Sequence, residues 1–516
     1  MTESPKKAIT QSELAHCTEL LEAIASDDRA LGLLNKEERI RLLMAAGRVL
    51  HPEAQVVRRR IKENRSSKRR DKEGKDRLLR ASTAIRSSRL DAVFVPAPKL
   101  VGSSSQNVAQ TSALTASAEL EKPRGCYVCK EYFTTVHFFY DSMCPKCAPF
   151  NYEKRFQTAS LKDRVAIITG ARLKIGYQSA LMMLRAGARV VVTTRFPQDS
   201  ALRFAREPDF ADWKGRLQVH GLDLRHSPSV EAFCRQMLKT LPRLDILINN
   251  AAQTVRRPPG FYAHMMELEG KPVQELPKDA QDLLRGHEDL KTQLSNPEDT
   301  RWVTEWHSAA PAPSPGITSS AALSQIPYRC DDAATEEHFP ANQLDADLQQ
   351  VDRRKMNSWR MTLADVPTAE LLEVQLVNSI APFILCSKLK PLMLRDRTDE
   401  KHIVNVSAIE GQFNRHTKTD KHPHTNMAKA ALNMMTLTSA RDYVKDGIFM
   451  NAVDTGWVTD EDPAELSLRK QANHDFQPPL DIVDGAARVC DPFFSGIISG
   501  KHSWGNFLKD YFPAKW

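Results

Sequence analysis

Four cysteines fall as two CxxC pairs, Cys126/Cys129 and Cys144/Cys147, with 14 residues between the pairs. Each CxxC is a tight turn presenting two sulfurs on one side, and two such knuckles complete the tetrahedral thiolate shell that Zn²⁺ prefers. Four sulfur ligands leave no open position for water, so the expected zinc is structural. The competing reading is a set of metal-free core or redox cysteines. A second group sits further along. The buried run Val165–Thr169 leads into Gly170-Ala171-Arg172-Leu173-Lys174-Ile175-Gly176 and then a helical pattern. A glycine directly after a strand lets the chain turn sharply. One at the helix start lets a diphosphate approach free backbone N–H groups and the positive end of the helix dipole.

The elements that must hold these residues are short β-branched runs alternating with helices. Strands are expected at 165–169, 189–194, 217–224, 244–248, 402–406 and 448–453, as a parallel sheet with crossover helices requires. The fold class is therefore α/β: a doubly wound parallel Rossmann sheet spanning 161–254 and 366–516. A large Pro- and acid-rich insertion at 255–365 interrupts it, partly helical at its start. A small zinc-ribbon-like module at 124–150 precedes the sheet, with Phe133, Phe138, Phe139 and Tyr140 as its expected core. Residues 96–123, rich in Ser, Ala and Pro, read as a linker. Residues 1–95 read as a helical, basic N-terminal region, with two short amphipathic helices between 11 and 50. A chain of 516 residues fits such a division.

TGARLKIG at 169–176 resembles the TGxxxGxG turn of the short-chain dehydrogenase/reductase superfamily, with Lys174 in place of the middle glycine as in some pteridine-reductase-like members. The second strand ends Thr194-Arg195 without the acid that usually grips the ribose hydroxyls of NAD. Arg195 with Arg172 and Lys174 suits a ribose 2′-phosphate, so the expected cofactor is NADP(H). The resemblance continues in chain order. Asp223-Leu224 resembles the adenine-facing acid, and Asn249-Asn250-Ala251-Ala252 the NNAG turn with Ala252 for glycine. Asn378 resembles the active-site asparagine on a helix read as Leu371–Leu394. Ser407 resembles the strand-end serine that holds the substrate oxygen, and Lys429 the lysine that holds the nicotinamide ribose. Asn451 to Thr459, with Gly456, resembles the loop that covers the nicotinamide, Thr455 replacing its proline. The implied cofactor seat is Gly170, Arg172, Lys174, Ile175, Gly176, Arg195, Asp223, Leu224, Asn250, Ala251, Lys429 and Gly456.

The resemblance fails at one place. Four residues before Lys429 the family carries its tyrosine, and this chain has Thr425; no tyrosine occurs from 408 to 429. A phenol with pKa ~10 can be brought toward neutrality by a lysine, whereas an aliphatic hydroxyl is far too weak an acid. Tyr443 lies on the same helix beyond Lys429 and cannot substitute. His416, His422 and His424 are nearby, and His424, next to Thr425, is the nearest candidate acid. The expected activity is reduction or oxidation of a small carbonyl/hydroxyl or imine substrate with Ser407, Lys429, Asn378, Thr425 and His424 at the reacting end. The alternative is a catalytically silent NADP(H)-binding sensor or scaffold.

Charge is concentrated in one stretch. Residues 58–89 hold 14 Lys/Arg against four acids, while the whole chain is only +8. That arm could neutralise nucleic-acid phosphates or act as an import signal, but no aromatic residue interleaves it, so base stacking is not indicated. The bland alternative is a solvated helix or tail. No apolar run approaches the ~20 residues of a membrane span, and no secretory signal is evident, so an intracellular setting, cytoplasmic or nuclear, is expected. The family implies a homodimer or tetramer.

Overall fold

The computed structural model describes residues 9–50, 54–91, 93–96, 119–295, 314–329, 331, 336–414 and 418–516. The chain divides into two units, Met1–Asp76 and Arg77–Trp516. In the first, helix α1 (Gln11–Ser26) opens on a capping box in which Thr10 and Glu13 exchange hydrogen bonds. Helix α2 (Lys36–Leu50) follows, and neither helix buries a residue. The basic stretch is helical as α3 (Ala54–Ala81).

The second unit is built on an eight-stranded sheet. Its strands are β3 (Val165–Thr169), β4 (Arg189–Thr194), β5 (Leu217–Gly221), β6 (Ile246–Asn249), β7 (Lys401–Ser407), β8 (Ile448–Asp454), β9 (Phe507–Lys509) and β10 (Phe512–Ala514). The order is β10-β9-β8-β7-β6-β3-β4-β5, parallel throughout except β10. Strand side chains alternate between faces. Ala166 and Ile168 therefore join one core, with Val190, Val192 and Val404, while Val165 and Ile167 join the other, with Val191 and Ile403. Both faces are covered, which is why these strands read as continuous apolar runs. Helices α5 (Lys174–Arg185) and α12 (Ile482–Ser499) lie on the first face; α7 (Ser227–Thr240), α10 (Thr368–Leu394) and α11 (Pro423–Tyr443) lie on the second. The expected doubly wound sheet is present, with strand ends within three residues of expectation.

The insertion is not a hanging loop. Helices α8 (Pro259–Glu269) and α9 (Lys278–Leu294) form there, and α9 packs along β5, sending Leu283, Leu284 and Leu290 into the two cores. It covers the edge a sheet otherwise leaves unpaired. Helix α10 departs from the expectation of no apolar span: its mean hydropathy reaches 1.4 and it is long enough to cross a membrane. Half of that window is buried, with Leu385, Leu389 and Leu392 wholly inside. Of the expected linker, 97–118 lies outside the described residues, and 119–123 instead belongs to strand β1 (Glu119–Gly125), antiparallel to β2 (Tyr132–Thr135). This hairpin, the four cysteines and α4 (Cys147–Lys154) form the cysteine module.

A buried ion network ties that module to α12. Arg155 Nη1 lies 2.7 Å from Asp481 Oδ1 and 2.9 Å from Asp484 Oδ1, and the Tyr140 hydroxyl donates to Asp484 at 2.5 Å. The two acids are also the capping box of α12. Breaking a buried pair by removing one partner strands the other charge. Arg155→Met is therefore expected to destabilise the protein by about 3–5 kcal/mol, read as a lowered urea midpoint.

Candidate functional site

Either side of β3 and β6 the order of strands reverses, and the loops at their carboxyl ends part. A cavity of about 1120 Å³ fills this crevice. Two loops lock together at its floor. Thr169 Oγ1 accepts from the Asn250 and Ala251 N–H groups at 3.1 and 3.0 Å, and Asn250 Nδ2 donates to the Thr169 and Gly170 carbonyls at 3.0 and 3.1 Å. The approach leaves no room for side chains. A Cβ on Gly170, whose φ is +68°, would lie 2.8 Å from Ala251 Cα, and one on Gly176 would lie 2.4 Å from both Asn250 Nδ2 and the Gly170 carbonyl.

Lys174 occupies the left-handed region at φ 53°, a conformation that costs a side-chain-bearing residue about 1–2 kcal/mol. That is the physical reason a glycine suits this position. The Lys174 ammonium is 3.8 Å from Asp347 of the insertion and leaves the cavity open. Leu173 precedes α5 without capping it by a side chain, so the unpaired N–H groups of the first helical turn serve the cavity wall.

All twelve residues of the expected cofactor seat line the cavity. Arg172 pairs with Asp199 at 2.8 Å, on helix α6 (Pro197–Ala205). Asp223 is held by Arg225 at 2.6 Å, and Arg225 in turn by Glu373 at 2.6 Å. Arg195 differs. It donates to the Tyr262 hydroxyl at 2.6 Å, stacks 4.7 Å over that ring, and makes no ion pair among the described residues.

At the reacting end, Ser407 and Lys429 line the cavity. The Ser407 hydroxyl donates to Asn433 Oδ1 at 2.5 Å and Lys429 Nζ to the Val406 carbonyl at 2.7 Å. Burial brings the Lys429 ammonium down to about 8. The other three expected residues lie behind the wall. Asn378 sits in a π turn of α10 (Leu376–Ile380), and its amide makes two hydrogen bonds with the backbone of Gln253, at 2.7 and 3.0 Å. Thr425 is buried with no hydrogen-bond partner, and His424 is buried with Nε2 3.4 Å from Glu370. The face of α11 toward the cavity carries His422, Asn426 and Lys429, the i, i+4, i+7 spacing of one helix face. His422 stacks on Trp359 of the insertion, centroids 3.8 Å apart.

Residues that sequence reasoning did not select also form the wall. Asp454 ends β8, and burial pushes its carboxyl up to about 6. Tyr127, between the knuckle cysteines, accepts a hydrogen bond from the Trp457 N–H at 2.9 Å. Tyr262 and Trp359 come from the insertion. An acid at a strand end is a signal that could have marked Asp454; the contact of Tyr127 with a loop 330 residues away carries none.

The cysteine cluster forms as spaced. The four sulfurs lie within 4.8 Å of one another and can chelate a metal ion. The Cys144 N–H donates to Cys126 Sγ at 3.4 Å. Although burial opposes it, this and neighbouring backbone hydrogen bonds hold the Cys126 thiol at about 7.

A short chain dehydrogenase family model matches residues 164–267, and an enoyl-(acyl carrier protein) reductase model matches 352–478; most of the insertion lies between them. Uncharacterized protein R665 of Acanthamoeba polyphaga mimivirus is 30% identical over 398 residues, covering 75% of this chain and 74% of that protein. Retinol dehydrogenase 14 of Mus musculus is 39% identical over 102 residues, and the match spans only 30% of its length and 18% of this chain. Among solved structures, a dehydrogenase/reductase from Sinorhizobium meliloti 1021 is 17% identical with a TM-score of 0.40, covering 68% of this chain and 94% of that one.

The interlocked loops make a sharp expectation. Gly176→Ala forces Asn250 away from the Gly170 carbonyl and should cost about 1–3 kcal/mol of stability, the usual toll of overpacking. Urea unfolding reads the stability, and nuclear magnetic resonance of the Asn250 side-chain amide reads its displacement.

Proposed function

Since the chain belongs to the short-chain dehydrogenase/reductase superfamily, we propose that it is an NADP(H)-dependent oxidoreductase acting on a carbonyl/hydroxyl or imine substrate, with a proton donor other than the usual tyrosine. The observation that carries this reading is the donor set around the cavity. Uncapped N–H groups at the start of α5 suit a diphosphate, and Arg195, without a carboxylate partner among the described residues, suits a further phosphate on the ribose. The bound cofactor would supply hydride to, or take it from, the substrate carbon. Lys429 holds the ribose hydroxyls. Ser407 orients the substrate oxygen, its own proton directed to Asn433. Asn378 is a positioning residue that fastens the start of the insertion to α10. Thr425 and His424 stay out of the reaction, since neither reaches the wall.

A second reading, a cofactor held without turnover, draws on that same withdrawal of Thr425 and His424. The two separate on measurement. NADPH should bind with its fluorescence enhanced and be oxidised in the presence of a carbonyl panel; binding without oxidation favours the sensor. Arg195→Ala should weaken NADPH by about tenfold or more, the worth of one charge-assisted hydrogen bond, and leave NADH within twofold. Equal losses for the two cofactors would reject the 2′-phosphate assignment.

The cysteine cluster is proposed to hold structural zinc. A tetrahedron with Zn–S near ~2.3 Å has sulfurs roughly 3.8 Å apart, and Cys129 and Cys144 Sγ are 3.6 Å apart. The purified protein should carry one zinc per chain. Cobalt exchanged into it should give the intense visible absorption of tetrahedral thiolate coordination, and Cys144→Ser should abolish that spectrum.

A further inference from the structure

We propose that Asp454 is the acid that protonates the substrate oxygen, in the role left open by the missing tyrosine. The proposal rests on the oxidoreductase reading above and names the group that reading leaves unassigned.

Asp454 is placed by the sheet. It is the last residue of β8, and the parallel register sets it beside Ser407, the last residue of β7. Ser407, Lys429 and Asp454 thus converge on the wall of one cavity from two strands and a helix. The carboxyl is 5% exposed, and its Oδ1 accepts from the Gly456 N–H at 2.9 Å, which fixes its rotamer at the start of the loop. Other groups at this end are less suited. Lys429 is committed to the Val406 carbonyl, and the Ser407 hydroxyl to Asn433. His422 lies flat against Trp359, and burial disfavours its charged form. Glu410, also on the wall, is only half-buried.

The neighbours of Asp454 explain why it can carry a proton where most aspartates cannot. Burial is the largest influence and raises its affinity for the proton, to about 6. Lys509 from β9 opposes this, while Glu410 after β7 and Asp510 after β9 reinforce it. Lys429 from α11 and Tyr127 from the cysteine module also feel its charge. A catalytic acid works best with its pKa near the working pH, and this carboxyl is far closer to it than an aliphatic hydroxyl.

The step balances as follows. A bound reduced nicotinamide would supply hydride to the carbonyl carbon and be oxidised, and the carbon–oxygen π pair would move onto oxygen. The O–H bond of the Asp454 carboxylic acid breaks, its proton joins that oxygen, and its electrons remain on the carboxylate. Solvent returns the proton. In the oxidative direction the carboxylate takes the alcohol proton. Reduction therefore requires the protonated acid and slows as pH rises through about 6, whereas oxidation quickens over the same range.

The test uses the full chain and Asp454→Asn, which keeps an acceptor for the Gly456 N–H; Asp454→Ser replaces it if that variant does not fold. Infrared titration of the cofactor-free protein should show a protonated carboxyl band disappearing with a midpoint near pH 6 and absent from the variant. NADPH affinity should agree within twofold between the two proteins. Turnover with a panel of aliphatic and aromatic aldehydes and ketones should fall at least a hundredfold in the variant, with the limb near pH 6 gone from what remains. A variant within threefold of the parent, a missing carboxyl band, or a parent that binds NADPH but reduces none of the panel would each overturn the proposal. Failure of the parent to bind NADPH would instead sink the oxidoreductase reading, and the infrared titration would still decide whether residue 454 stores a proton.

Discussion

The contact on which the rest of this structure depends is the clasp between the turns that follow β3 and β6. Four hydrogen bonds cross it, the Asn250 and Ala251 N–H groups donating to Thr169 Oγ1 and Asn250 Nδ2 donating to the Thr169 and Gly170 carbonyls, satisfying backbone groups that would otherwise be stranded where the two loops diverge. Because the clasp is made at backbone distance, Gly170 and Gly176 have no tolerance for a side chain. Because it holds the start of α5 against the sheet, the helix presents its unpaired N–H groups at a defined place. The crevice and the cavity within it are positioned from here.

The sheet was legible in the sequence for a simple reason. Strands buried on both faces must be apolar throughout, and six of them stood out against the helices between them. Val165–Thr169 and Arg189–Thr194 matched to the residue. The residues expected as a cofactor seat all line one cavity, most of them at or just after strand ends, where sequence position and spatial position coincide. Of the residues expected at the reacting end, only two line that cavity. Ser407 and Lys429 are backbone-fixed and lie on the wall, but Thr425 and Asn378 turn on the rotation of long helices. In α10 a π turn at Leu376–Ile380 shifts that rotation, and no periodicity argument anticipates such a turn.

The insertion was read as Pro- and acid-rich, partly helical at its start, and either packed on the sheet or hanging from it; its two helices form near that start. Its arginines are paired: Arg256 with Asp331 and with Glu373 of α10, and Arg257 with Asp352. It gives the cavity three aromatic rings, Phe261, Tyr262 and Trp359, alongside Arg256, Arg257 and Arg360. Rings reduce the water at a cavity wall, and desolvation strengthens charge interactions beside it. The same desolvation governs Lys429 and Asp454, whose proton affinities move in opposite directions, down for the ammonium and up for the carboxyl.

The Arg155 network has a consequence for how this molecule can be cut. Boundaries at 124–150 and 161 suggest a small domain followed by a larger one, yet the guanidinium of the first is the counter-ion of the helix cap of the second. Lys154 reaches Asp491 about two turns further on, and Arg488 of α12 returns a hydrogen bond to Asn151. A fragment beginning at Leu161 would strip Asp481, Asp484 and Asp491 of their Arg155 and Lys154 partners. The cysteine hairpin is thus a keystone of the body built on the large sheet, inherited with it or lost with it, and the smallest portable form of this fold begins before Cys126.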